Sequence, residues 1–130
     1  MFPSRLWLVL FLVLGACRGG RATAERALES VDVEALRREA AVLYKQTQGA
    51  RGAGFVIVGK AQWPPTFRGL APVRVGSYPD GFSIALRTDA DTEQGLYVIP
   101  LEFARPSPTE TKGARFERLA EGVFWYEFPR

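Results

Sequence analysis

The sequence predicts an α+β domain in which one N-terminal helical segment packs on a four- or five-stranded, mainly antiparallel sheet. Three observations carry this. Leu36, Ala40, Leu43 and Tyr44 recur on one helical face between Asp32 and Thr47. From Phe55 onward the pattern becomes strand-like, in short runs rich in Val, Ile, Phe and Tyr. Ser77-Tyr78-Pro79-Asp80-Gly81 then supplies Pro and Asp-Gly where a hairpin turn needs them.

Ahead of the domain, residues 1–16 have the parts of a secretory leader: Arg5, the apolar run Leu6 to Leu14, then small Gly15 and Ala16. The run is nine residues long. A membrane span needs about 20 apolar residues, so a cleaved segment fits better. Cys17 follows directly and is the only cysteine. Leu14-Gly15-Ala16-Cys17 resembles the lipobox of bacterial lipoproteins. The resemblance implies a diacylglyceryl group on the Cys17 sulfur, cleavage before Cys17 and acylation of the new amino terminus. It therefore implies a membrane as partner and the cell envelope as location. The alternative is an ordinary secretory signal cut after Ala16, which would leave an exposed thiol with no second cysteine to pair with. In a cell with two membranes, Arg18 stands where some bacteria place an inner-membrane-retaining aspartate. An outer-membrane address facing the periplasm is then expected.

Residues 17–22 read as a short glycine-rich tether, reaching at most about 17 Å beyond Cys17. Residues 23–130 form a single domain. Thr23 to Glu29 supplies a first helical turn or two. A stronger helix follows, with Asp32 as N-cap and Val31 and Leu36 spaced as a hydrophobic staple. It is expected to end near Thr47, with Gly49 as its C′ residue. Phe55 to Lys60 is the first strand, broken by Trp63-Pro64-Pro65, and Thr66 to Leu70 makes one helical turn. Val73 to Gly76 and Phe82 to Thr88 flank the hairpin turn, and Gly95 to Pro100 forms the next strand. Arg105 to Gly113, with two prolines, reads as an exposed loop. Val123 to Phe128 is a strand with bulky residues at both alternate positions. The spacing of Trp63-Pro64-Pro65, Val73-Arg74-Val75, Asp80-Gly81-Phe82, Gly95-Leu96-Tyr97-Val98 and Gly122-Val123-Phe124-Trp125-Tyr126 is similar to that in small uncharacterised bacterial proteins. That resemblance implies one compact unit and no particular activity.

Absent residue types exclude several chemistries. The chain has no histidine, and its one cysteine is committed to lipid, so Ser/His/Asp, Cys/His and the usual zinc arrangements are excluded. Net charge is +3, falling to +2 without the leader. The cations are scattered rather than clustered, which gives no footprint for nucleic acid. Asp89-x-Asp91-x-Glu93 superficially resembles a calcium loop, but Gln94 and Pro100 stand where an EF-hand needs Gly and Glu. A solvated turn explains it better. Glu102, Glu121 and Glu127 have no spacing that requires paired-carboxylate catalysis. No catalytic residue, cofactor or metal is therefore assigned.

Trp63, Tyr78, Tyr97, Trp125 and Tyr126 combine apolar faces with polar tips, and core packing is the competing explanation for them. Trp63, Tyr97, Trp125 and Tyr126 are the candidate binding surface. Phe124, Tyr126 and Phe128 share one face of their strand, and Val123, Trp125 and Glu127 share the other. Only one set can meet the helix, so the other is covered by the Pro-rich loop, exposed, or used by a partner. The expected function is a membrane-anchored, non-enzymatic binding or assembly module whose partner is an envelope protein or peptidoglycan. The alternative is a small carboxylate-based hydrolase or binder of cell-wall glycans.

Overall fold

The computed structural model describes residues 19–103, 107–109 and 113–130. The leader expected over 1–16, Cys17 and much of the loop expected over 105–113 lie outside the described residues. Helix α1 spans Gly19–Glu29 and helix α2 spans Val33–Arg51. Strands β1 (Val56–Val58), β2 (Arg74–Tyr78), β3 (Gly81–Thr88), β4 (Thr92–Val98), β5 (Arg115–Ala120) and β6 (Val123–Pro129) form one sheet in the order β1-β2-β3-β4-β6-β5. Every neighbouring pair is antiparallel. A 3₁₀ turn, Lys60–Gln62, and the short helix α3, Pro65–Gly69, lie between β1 and β2.

The α+β class holds, with six strands where four or five were expected. The additional strand is β5. No strand among the described residues pairs with its outer edge, and it carries Arg115, Glu117 and Arg118, a composition that hides a strand while protecting the edge from further pairing. A register shift between Arg118 and Ala120 also breaks its two-residue period.

Both long helices exceed their expected bounds. α1 begins at Gly19, so residues 19–22 of the expected tether are helical. Ala24 is buried in the core, and Arg21 pairs with Glu25 one turn on, at 2.8 Å. Asp32 caps α2 as expected, accepting from the Glu34 and Ala35 amides at 3.0 and 3.3 Å. The helix then passes Thr47 and Gly49 and stops at Gly52, whose φ of 58° suits glycine. The extra turn buries Arg51. Its guanidinium donates to Ser77 Oγ at 2.9 Å and lies 3.9 Å from the Tyr44 ring centroid. At the other end of α2, buried Arg37 donates to the Ile99 carbonyl at 2.9 Å. Two arginines thus clasp the helix to the sheet at both ends, using a hydroxyl and a carbonyl as acceptors.

Leu36, Ala40 and Leu43 of α2 bury against Val75, Phe82, Ile84, Leu96, Val98, Val123 and Trp125 on one sheet face. Val58, Trp63, Phe67 and Leu70 extend this core. The opposite face has no helix over it among the described residues. It carries a second cluster built around Tyr97, Ile99, Phe124 and Tyr126. No helix among the described residues is long and apolar enough to cross a membrane.

Candidate functional site

The helix-free face is divided by side-chain size. In the row Gly76, Ser83, Tyr97, Phe124 and in the row Ala85, Gly95, Tyr126, Phe116, strands β2 and β3 contribute small residues while β5 and β6 contribute rings. Two further rings, Phe55 and Tyr78, lie over Gly76. A Cβ on Gly76 would stand 2.8 Å from the Phe55 ring and 3.3 Å from the Tyr78 ring, so the backbone there has to be bare. Tyr78, at the turn end of β2, and Phe128, near the far end of β6, are diagonally opposed positions three strand spacings apart, which a flat sheet would hold about 25 Å from each other. Their ring centroids are 5.9 Å apart. Right-handed strand twist lifts that pair of corners together over this face and closes a ring cluster there.

Two acids lie inside the cluster with different partners. Glu93 is 1% exposed. Its carboxylate pairs with the Arg74 guanidinium and accepts from the fully buried Tyr126 hydroxyl at 2.8 Å. Asp80, in the hairpin turn, accepts from the Tyr97 hydroxyl and, at 2.6 Å, from the Thr109 amide. Burial, and then the adjoining carboxylate, pushes the Tyr97 and Tyr126 hydroxyls far above the usual phenol range. Burial likewise raises Tyr78. All three phenols therefore stay protonated donors at neutral pH, which suits holding a shape or a ligand rather than abstracting a proton.

Between these groups is a cleft of about 530 Å³, within the usual range of small-molecule sites. Tyr78, Tyr97, Phe116 and Phe128 line it with Asp80, and Pro79 and Pro129 stand at its margin.

A second cleft, of about 630 Å³, lies on the helix face beside Gly20, Arg21 and Glu25 of α1. Trp125, Gln94, Arg115, Glu117 and Glu127 form its floor. Its acids are paired: Arg21 with Glu117 as well as Glu25, and Arg115 with Glu127 at 3.6 Å. Gln94 also donates to Glu127 at 3.0 Å, and Arg115 lies 5.4 Å over the Trp125 ring. The larger volume is thus an ion-paired surface furrow in which three glutamates share two arginines, and the smaller one is the apolar site with few polar groups.

The four residues chosen from sequence do not converge. Tyr97 and Tyr126 meet on the helix-free face, with ring centroids 6.1 Å apart. Trp125 faces the opposite way, towards α1, and is 5% exposed. Trp63 belongs to the core, where its indole N–H donates to the Val58 carbonyl at 3.0 Å. The division of β6 into two faces is as expected, and Val123 and Trp125 are the helix-facing set. Cover over Phe124, Tyr126 and Phe128 comes partly from Phe103, just before the Pro-rich loop expected over 105–113, and from Thr109 within it. Asp80, Phe116 and Phe128 are the cleft residues that sequence missed. Phe128 carried a signal in its alternation with Phe124 and Tyr126, whereas Asp80 read only as a turn former.

The acidic turn is local structure. Asp89 Oδ1 accepts from the Asp91 and Thr92 amides and the Thr92 hydroxyl at 2.9–3.1 Å. Those bonds hold its carboxyl below the usual range. Glu93 turns away into the ring cluster. No group of three or more acidic or cysteine side chains among the described residues is placed to hold a metal. Glu102 is exposed beside Lys45 at 3.7 Å, Glu121 is exposed at the β5–β6 turn, and Glu127 lines the polar cleft. The chain matches no protein-family model, no curated protein and no solved structure.

Proposed function

We propose that the chain is a lipid-anchored protein of the cell envelope, attached through Cys17, whose α+β domain is a non-enzymatic binding module. The observation that carries the binding role is the aromatic cleft, where four rings and one carboxylate converge on a sheet face that no described helix covers. The anchor rests on the leader and Leu14-Gly15-Ala16-Cys17. With Arg18 next to Cys17, an outer membrane facing the periplasm is the proposed address in a cell that has one.

Two readouts on the full chain in cells test this. An alkyne fatty acid should label the wild type and leave Cys17→Ser unlabelled and in the soluble fraction. A photo-crosslinking residue at Phe116 should give a defined adduct that the same residue at exposed Val42, on α2, does not give. Equal labelling of both forms overturns the anchor, and equal crosslinking from both positions overturns the choice of surface.

The polar cleft supports a second reading, binding of a wall glycan, because Trp125, Gln94, Glu117 and Glu127 offer a ring edge and several fixed acceptors for hydroxyls. Isothermal titration with soluble glycan fragments decides it. Heat release lost in Gln94→Ala supports this reading, and no heat with wild type removes it.

A further inference from the structure

We propose that the aromatic cleft binds an organic ammonium ion, with the alkylated nitrogen held between ring faces and the Asp80 carboxylate; this rests on the cleft being the binding surface. Tyr97 meets Phe116 at 5.2 Å and 73°, Phe128 meets Phe116 at 5.8 Å and 80°, and Tyr78 meets Phe128 at 5.9 Å and 72°. With Tyr97 also 6.2 Å from Phe128 and 6.0 Å from Tyr78, the four rings pack on one another as a continuous aromatic wall beside Asp80. The electron-rich faces of such rings attract a cation, most strongly where water is displaced.

Charge selects the ligand further. Each Asp80 oxygen takes one donor, from Tyr97 and from Thr109, so about half of the carboxylate's acceptor capacity remains. Among the described residues no cation forms an ion pair with Asp80, whereas Glu93 in the same cluster pairs with Arg74. An anionic ligand would be repelled there. A neutral apolar ligand would strip water from the carboxylate and return nothing for it. A bare divalent metal ion would find one carboxylate where it needs several oxygens. An alkylated ammonium group satisfies both features, because its charge faces Asp80 and its methyl or methylene groups pack on the rings.

Choline and its neutral carbon isostere, dimethylbutanol, separate charge from shape without any mutation. Titration calorimetry of the full chain in an uncharged sugar detergent should show saturable binding of choline, with the isostere at least about tenfold weaker. Asp80→Asn and Phe116→Leu should each weaken choline by about tenfold. Phe116→Leu retains apolar volume and loses only the ring. No choline binding, or equal binding of the isostere, overturns the proposal whatever the variants do. Retention of the Cys17→Ser form on phosphatidylcholine vesicles but not on phosphatidylglycerol vesicles, abolished by Asp80→Asn, would assign the ligand to a lipid headgroup. Choline binding without retention would assign it to a free solute. A persistent adduct from position 116 with no choline binding refutes the ammonium assignment alone, whereas loss of both also refutes the binding-module reading.

Discussion

Replacing Tyr126 by Phe removes one oxygen from the aromatic face and keeps the ring that fills it. The hydroxyl is fully buried and donates at 2.8 Å to Glu93, whose side chain is 2% exposed. Without it, that carboxylate oxygen loses its hydrogen-bond donor in a place water does not reach, and Arg74 alone compensates the charge from a position 45% exposed. Hydrogen bonds to a charged group contribute about 1.5–3 kcal/mol, so Tyr126→Phe should cost about 2 kcal/mol. In a domain of this size that lowers the melting midpoint by about 8 °C. Urea unfolding of the Cys17→Ser protein, followed by tryptophan fluorescence, gives the free energy. The same substitution in a Glu93→Gln background should cost only about 1 kcal/mol, because a neutral acceptor is cheaper to leave unpaired. A loss below about 0.5 kcal/mol, or the same loss in both backgrounds, would refute the claim that a charged buried acceptor depends on this phenol.

Two glycines should respond in opposite senses: a Cβ on Gly95 would meet the Ile84 carbonyl oxygen at 2.0 Å and the Leu86 nitrogen at 2.8 Å. These are backbone atoms at the β3 bulge, so Gly95→Ala should cost about 3 kcal/mol, seen as early urea unfolding or loss of soluble protein. Gly49 lies inside α2 with nothing within 4 Å of a new Cβ, and Gly49→Ala should raise stability by about 1 kcal/mol in the same assay. Asp89 gives a pH signature. Its folded pKa is depressed by the Thr92 amide first, so the unfolded chain binds more protons below its ordinary value of 3.8. The stability it contributes is present above that value and is lost as pH falls through the lower folded one. Asp89→Asn should therefore flatten the acid limb of the urea-midpoint profile between about pH 2 and pH 5, and an unchanged limb would count against the turn geometry.

Legibility in the sequence followed how local the cause was. The Asp32 cap, the α2 stripe and the β2–β3 hairpin each depend on neighbours a few residues apart, and all three form. The last turn of α2 depends on Ser77, 26 residues away, and local signals favoured Gly49 as the stop. β5 escaped notice because Arg115, Glu117 and Arg118 look like loop composition. Its pairing with β6 is a tertiary event that puts Phe116 beside Tyr126. The candidate site was half legible for the same reason: a period of two placed Tyr126 and Phe128 on one face, but only sheet twist brings the Tyr78–Asp80 corner over them. Trp63 shows the converse error, since a large amphipathic side chain in a broken segment looks available until its indole finds the Val58 carbonyl.

The two clefts sit differently with respect to the proposed anchor, and this bears on the source of an ammonium ligand. Gly19, the first residue of α1, follows Cys17 by two positions, a reach of about 7 Å at most. The first turn of that helix borders the polar cleft, and Ala24 further along it enters the core on the helix-facing side of the sheet. A lipid on Cys17 would therefore hold the membrane close to the Arg21–Glu117 furrow. The cleft with Asp80 opens on the other face, across the full thickness of the sheet. A headgroup of the same bilayer would have to reach around the sheet to enter it, while a solute in the surrounding fluid would meet it directly. The geometry thus favours a free ammonium solute, and it predicts that lipid attachment at Cys17 leaves choline affinity unchanged. Titration of the lipidated and Cys17→Ser forms side by side measures this. A severalfold weaker affinity in the lipidated form would mean that the membrane covers the aromatic face, and the arrangement argued from α1 would be wrong.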